Sequence, residues 1–214
     1  MKRMIFVIFS VVAVSLMPLV SSGASFNAFT GISDVGKLGL APTLKVPTTF
    51  DSAELELWFS YGFTENIDVQ LNASTLVFSS DGVNWGGVYL LPRYDFGSVS
   101  ILSYNILALG VGFDGAFSLD VQYHTEVGIL PEVLSIEINV IGGIIPSFSV
   151  SAVFAPVVTI FDLLALYVEI NPSFIPDFGV EFVPGVNIIL GDYGELNISY
   201  STENNIGVWY SISF

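Results

Sequence analysis

The 214-residue chain is more apolar than an ordinary soluble domain, since 52% of its residues are hydrophobic and its mean hydropathy is +0.73. Such a composition excludes a disordered chain, and the absence of cysteine excludes disulfides, thiolate metal sites and cysteine nucleophiles. With 20 acidic residues against 5 basic ones, the chain lacks the clustered lysines and arginines that bind phosphates, which argues against nucleic acid as a partner.

The first residues have the order of a secretory signal. Two basic residues precede an apolar run over residues 4–20, and the small residues Ser22 and Ala24 follow at positions that a signal peptidase prefers. An uncleaved membrane anchor is the alternative, but it needs a run of about 20 apolar residues and this run is shorter. We therefore predict a signal peptide over residues 1–24 and a mature domain over residues 25–214.

The mature chain alternates apolar and polar residues with a period of two, which is typical of strands. In residues 54–63, leucine and aromatic residues occupy the odd positions, and Glu54 and Glu56 fall on the other face. A polar turn at 64–66 separates this arm from a second one. Each arm has about ten residues, the length that a tilted strand needs to cross a bilayer.

The same pattern continues to the end of the chain. It predicts strands near 37–46, 53–63, 67–78, 86–96, 99–113, 116–127, 134–142, 147–160, 163–171, 179–190, 195–200 and 206–214. This corresponds to an all-β fold, a transmembrane antiparallel up-and-down barrel of about twelve strands, with ten as the alternative. The apolar register slips between Val99 and Phe113, so a bulge is expected near 103–105.

A helical inner-membrane protein is a competing interpretation, because residues 133–170 are strongly apolar. Glu137 lies within this region, and Pro146 and Pro156 interrupt it. A spanning helix needs about 18 or more apolar residues without such breaks, so the helical interpretation is the weaker one.

The last strand ends on an aromatic residue. Val208, Tyr210, Ile212 and Phe214 belong to one apolar row, and "GVWYSISF" resembles the C-terminal insertion signal of bacterial outer-membrane β-barrel proteins. The hairpin "FSYGFTENIDVQL" is similar to periplasmic hairpins of small porin-like members, and "LLPRYDF" to another of their strands. The resemblance implies a place in the cell outer membrane, contact with its lipid, and insertion by the barrel-assembly machinery, which would read this row.

If the apolar rows face lipid, the opposite parity faces the lumen. The residues predicted to line it are Glu54, Glu56, Asp68, Arg93, Asp95, Asp120, His124, Glu126, Glu137, Glu169, Glu181 and Glu195, joined by Lys45. Such a wall predicts a narrow water-filled channel for small solutes that prefers cations. The alternative is a non-conducting envelope barrel whose polar side chains fill the interior as a network.

Two lumen residues carry further hypotheses. Arg93 is either a constriction residue that holds a substrate carboxylate or a counter-ion for carboxylates such as Asp95, and the second role is commoner for a lone arginine among acids. His124 is the only histidine, so it is the only candidate base for a barrel hydrolase, but no catalytic serine motif accompanies it. We predict no catalytic residue, no metal and no cofactor, and the oligomeric state stays open.

Overall fold

The computed structural model describes residues 32–130, 133–161 and 163–214, so the predicted signal peptide lies outside the described residues. The strands are β1 (Leu38–Pro47), β2 (Ser52–Thr64), β3 (Ile67–Ser79), β4 (Gly82–Asp95), β5 (Leu102–Phe113), β6 (Phe117–Leu130), β7 (Leu134–Ile145), β8 (Ser149–Ile160), β9 (Leu164–Ile175), β10 (Gly179–Ile189), β11 (Glu195–Tyr200) and β12 (Asn205–Ser213), with a short 3₁₀ helix at Gly191–Tyr193.

The strands form a closed barrel in which every strand pairs with its neighbours in sequence. β12 pairs antiparallel with β1, from Gly39 opposite Ser213 to Pro47 opposite Asn205. Closure leaves no unpaired strand edge, which is what a sheet needs in hydrocarbon. The predicted all-β antiparallel barrel of about twelve strands is therefore confirmed.

The first strand starts and the last strand finishes at the same end of the barrel. We call the end where β1 begins and β12 finishes the terminal end, and the opposite one the far end. The short connections predicted to share one side, at 64–66, 97–98 and 191–194, all lie at the terminal end. This agreement follows from the even strand number, because every second connection returns to the same side.

Three strands are longer at the far end than the sequence predicted. β4 begins at Gly82 rather than near 86, β7 runs to Ile145 rather than 142, and β9 runs to Ile175 rather than 171. The pairing of Ser79 with Gly82 leaves only a two-residue turn between β3 and β4. Backbone pairing continues here beyond the clear apolar alternation, so the alternation alone made these strands too short at the far end.

The expected bulge in β5 is present. The pairing of β5 with β6 shifts register between Leu102 and Asn105. Beyond the shift, Leu107 and Leu109 are exposed on the outer wall, whereas Ile106 is fully buried in the interior. The extra residue thus switches the apolar row from one parity to the other.

The outer wall is apolar around the barrel, with exposed side chains such as Tyr123, Phe154 and Phe182 on alternate positions of β6, β8 and β10. The helical interpretation of residues 133–170 is wrong, because β7, β8 and part of β9 occupy this region. Across residues 32–130, 133–161 and 163–214, no helix is long and apolar enough to cross a membrane.

Candidate functional site: the barrel interior

The inward-facing side chains form two regions that differ in exposure. The first, which we call the buried band, lies in the half of the strands nearer the terminal end. It includes Asp68, Leu91, Arg93, Ile106, His124, Glu137, Asn139, Tyr167, Glu169, Asn187, Glu195 and Asn197, together with the small or apolar residues Ala108, Ala155, Val157, Ala165 and Val183, each at most 4% exposed. In this half, side chains rather than bulk water fill the interior.

The second region, which we call the vestibule, lies toward the far end. It consists of Lys45, Glu54, Glu56, Trp58, Tyr89, Asp120 and Glu181, all partly exposed. Asp95 and Glu126, the remaining predicted lining residues, are also partly exposed but lie near the terminal end. The predicted acidic residues thus occur along the whole interior, and partly exposed acids lie toward both ends with buried ones among them.

An ion pair between Asp68 and Arg93 is the strongest contact of the buried band. The two residues are opposite each other in the β3–β4 pairing. Arg93 donates from Nε to Asp68 Oδ1 at 2.8 Å and from a terminal nitrogen to Asp68 Oδ2 at 2.5 Å. A planar guanidinium matched to both carboxylate oxygens gives a directional, charge-assisted contact.

Asp95, named from the sequence as a neighbour of Arg93, has a local structural role. Its Oδ1 accepts hydrogen bonds from the backbone amides of Gly97 at 2.9 Å and Asn105 at 3.0 Å. These contacts close the β4–β5 connection at the terminal end. Cross-strand register, which the sequence did not supply, makes Asp68 the bidentate partner of Arg93.

Amides and carboxylates connect the rest of the buried band. Asn187 donates to Glu195 Oε2 at 2.9 Å, and the Tyr167 hydroxyl donates to Asn197 Oδ1 at 2.8 Å. Within the described part of the chain, Asn139 has no hydrogen-bond partner for either of its amide atoms. Charged and amide side chains thus lie beside the apolar residues of the band, so it is not a purely apolar core.

The vestibule has one basic side chain among several carboxylates. Lys45 Nζ lies 3.0 Å from Glu56 Oε1 and 3.8 Å from Glu54 Oε1, and the Lys45 and Glu54 side chains are 34% and 37% exposed. The Trp58 indole donates to the other oxygen of Glu56 at 2.7 Å. Glu56 therefore joins the lysine and the indole in one contact set on the wall.

A second contact set of the vestibule surrounds Asp120. The Tyr89 hydroxyl lies 2.8 and 2.7 Å from the two oxygens of Asp120, and Gln122 donates to Asp120 Oδ1 at 2.7 Å. The rings of Trp58 and Tyr89 meet edge to face, with centroids 6.0 Å apart. At the same end, Glu181 accepts a hydrogen bond from the Ser201 hydroxyl and one from Asn171.

The sequence prediction missed the inward-facing apolar and aromatic residues. Leu91, Ile106, Tyr89, Tyr104 and Tyr167 face the interior, although apolar residues were expected to face lipid. The parity of their strands could have identified three of them, since Tyr89 and Leu91 share the parity of Arg93, and Tyr167 that of Glu169. Across the described ranges, no group of three or more histidines or acids is placed to hold a metal ion.

The predicted assembly residues lie along β12 and directly after it. Phe214 is 46% exposed, and its backbone exchanges hydrogen bonds with that of Leu38, at 2.8 and 3.2 Å. Tyr210 and Ile212 are only 7% and 3% exposed, unlike the expected open row, and the Tyr210 hydroxyl donates to the Tyr193 carbonyl. Val208 is half-buried in the same row. The row thus belongs to the seam where the barrel closes.

A closed antiparallel barrel with an apolar outer wall and a charged interior has the architecture of outer-membrane β-barrels. Among solved structures, the chain is similar to a KdgM porin, with a TM-score of 0.65 and 7% identity over 82% of this chain and 98% of the porin. It is also similar to the KdgM porin in complex with disordered oligogalacturonate, with a TM-score of 0.60 and 7% identity over 83% and 98%. No protein-family model and no curated protein matches the sequence. The chain therefore has a porin fold.

Proposed function

We propose that the protein is an outer-membrane channel for small solutes and that its acidic interior prefers cations. The observation that carries this proposal is that the basic side chains Lys45 and Arg93, which face the interior of the described barrel, are each paired with carboxylates. Lys45 lies against Glu54 and Glu56, and Arg93 forms a bidentate pair with Asp68. The other inward-facing carboxylates outnumber these cations, so the field along the lumen favours mobile cations and opposes anions.

The charge of the interior also argues against oligogalacturonate, the ligand named with the similar porin structure, as the solute of this chain. Oligogalacturonate carries a carboxylate on every sugar unit, so it is a polyanion. In this chain such a ligand would meet an acidic wall whose basic side chains are already paired. We infer that the solutes are small cations or uncharged hydroxylated molecules, which can contact the Trp58 and Tyr89 rings and the neighbouring carboxylates.

A non-conducting envelope barrel is the second candidate, and the buried band is the observation that favours it. Its side chains are almost inaccessible, and several are linked by hydrogen bonds. We favour a channel because carboxylates and amides such as Glu169 and Asn139 occur through the band, and partly exposed acids line the interior on both sides of it. A hydrolase is not proposed, since His124 lies in this inaccessible band and not on an open surface.

The decisive experiment is the reversal potential of the refolded mature protein in a planar bilayer under a KCl gradient. We expect a sign that indicates cation preference. The preference should weaken at 1 M salt, where the Debye length falls to about 3 Å, and in acid, since free carboxyl groups titrate near pH 4. A double Glu54→Gln, Glu56→Gln variant should weaken it at neutral pH. Anion preference would contradict the acidic-channel proposal, and repeated verified insertions without conductance would favour the envelope barrel.

We also propose that residues 1–24 are removed on export and that the barrel-assembly machinery inserts the chain by reading Val208, Tyr210, Ile212 and Phe214. The backbone contacts between Phe214 and Leu38 support this role, because they bring the last residue to the closing seam. Deletion of Phe214 should lower the amount of heat-modifiable barrel in outer membranes, with deletion of the far-end residue Glu203 as the control. Unchanged abundance of the Phe214 deletion would argue against the signal.

A further inference from the structure

Residues 33–37, directly before β1, turn back into the terminal end of the barrel. The Lys37 amide donates to the Asp34 carbonyl at 3.0 Å, which closes a four-residue turn. Gly36 has a φ of 74° and occupies the third position of this turn, where a positive φ is required. The turn reverses the chain, so residues 33–36 do not continue away from the barrel.

After the turn, the segment follows the inner side of the β2–β3 hairpin. The Gly36 amide donates to the Gly62 carbonyl at 2.9 Å, and Val35 forms an isolated parallel bridge with Gly62. The Ser33 amide then donates to Asp68 Oδ2 at 2.8 Å. Asp68 is fully buried and faces the interior, so the segment reaches the buried band itself.

Gly62 allows this close approach. A Cβ at this position would lie 2.2 Å from the Asp34 carbonyl oxygen and 2.4 Å from that of Ser33. Both are backbone atoms, which cannot rotate away as the tip of a side chain can. Gly62 pairs with Asp68 in the β2–β3 ladder, so the two residues provide the space and the hydrogen-bond acceptor side by side.

The geometry points to a built-in plug: we propose that the segment 33–37 narrows the terminal-end opening of the lumen and is held there by the contact between the Ser33 amide and Asp68. Arg93 fixes the Asp68 carboxylate from one side, and the Ser33 amide binds the same Oδ2 atom. A solute that has crossed the vestibule must pass this segment to leave the barrel. This inference rests on the proposed channel function.

The test uses two displacing variants with matched controls in single-channel recordings. Gly62→Ala places a methyl group against the segment, and its control is Gly128→Ala, where a Cβ meets nothing within 4 Å. Ser33→Pro removes the amide donor, and its control is Ser33→Ala, which keeps that amide. We expect a several-fold higher conductance for Gly62→Ala and Ser33→Pro and unchanged conductance for both controls. Conductance that is measurable but equal in all four variants would overturn the plug.

A second measurement separates failure of the plug from failure of the channel. The chain has no cysteine, so Ser33→Cys gives a single thiol whose reaction with a water-soluble maleimide can be timed in refolded protein. Labelling should be several-fold faster when Gly62→Ala is added and unchanged when Gly128→Ala is added. If no variant conducts but labelling accelerates in this way, the plug contact stands and the channel proposal fails. If labelling does not respond to Gly62→Ala, the plug is overturned whatever the conductance.

Discussion

The buried band and the vestibule contain similar groups in different surroundings. Each has one basic side chain against carboxylates: Arg93 with Asp68 in the band, and Lys45 with Glu54 and Glu56 in the vestibule. The Arg93 and Asp68 side chains are at most 1% exposed, whereas Lys45 keeps about a third of its surface in contact with solvent. Water screens the second contact and not the first, so loss of a partner should be costly only in the band.

The largest difference should appear when each basic side chain is replaced by methionine, which keeps most of its volume. Arg93→Met leaves Asp68 as a buried charge without its partner and should reduce the free energy of unfolding by about 3–5 kcal/mol. Lys45→Met should change it by about 1 kcal/mol or less. The measurement is the urea unfolding midpoint of the refolded barrel in vesicles of one lipid composition.

A double variant tests the origin of this loss. Adding Asp68→Asn to Arg93→Met removes the unpaired charge and should recover part of the lost stability. Equal losses for the two single methionine variants would mean that the band is as well hydrated as the vestibule, and the distinction between the two regions would be wrong.

A second comparison concerns glycines that lie under tyrosine rings. A Cβ on Gly185 would lie 2.3 Å from Cζ of Tyr167, whose ring is buried in the band. A Cβ on Gly110 would lie 1.8 Å from the hydroxyl of Tyr89, which is partly exposed in the vestibule. Gly185→Ala should therefore cost about 1–3 kcal/mol through overpacking. Gly110→Ala should cost less, because the Tyr89 hydroxyl and the Asp120 carboxylate, whose oxygens lie 2.4 Å from that Cβ, are side-chain tips that can turn into the open vestibule. Unfolding midpoints measure both losses of stability. A larger loss for Gly110→Ala would contradict the assignment of the buried band as the more tightly packed region.

The sequence could predict the barrel because apolar and polar residues alternate with the two-residue period of a β-strand. The two-residue alternation gave the strands, and its slip before Leu107 gave the bulge between Leu102 and Asn105. The partner of Arg93 could not be found in the same way, because Asp68 is 25 residues away and becomes a neighbour only through cross-strand register. The alternation shows which residues share a face within one strand. The interior contacts depend in addition on the register between neighbouring strands, which the alternation does not show.

The division between band and vestibule was also beyond the sequence. Glu56 and Glu169 look alike in an alternating pattern, and only the closed barrel buries Glu169 completely. The segment before β1 was missed for a related reason. Its contact with Asp68 is made by the backbone amide of Ser33. Because almost every residue type has a backbone amide, the sequence does not show which one makes such a contact. The alternation therefore predicts the polar face of each strand, but not how far the interior is filled.

The smallest expected difference comes from removing one hydroxyl from each region. In the band, the Tyr167 hydroxyl donates to Asn197 Oδ1, and Asn197 is fully buried; in the vestibule, the Tyr89 hydroxyl donates to Asp120, which also accepts from Gln122. Tyr167→Phe withdraws a donor from a site that bulk water does not reach, so it should cost about 1–3 kcal/mol of unfolding free energy. Tyr89→Phe should cost about 0.5 kcal/mol or less, because water can replace the lost donor.

Both substitutions keep the ring and its packing, and the double variant should give the sum of the two effects, since the sites share no partner. Equal costs in the unfolding measurements would show that water reaches both hydroxyls, and the buried band would then have to be redrawn as part of an open lumen.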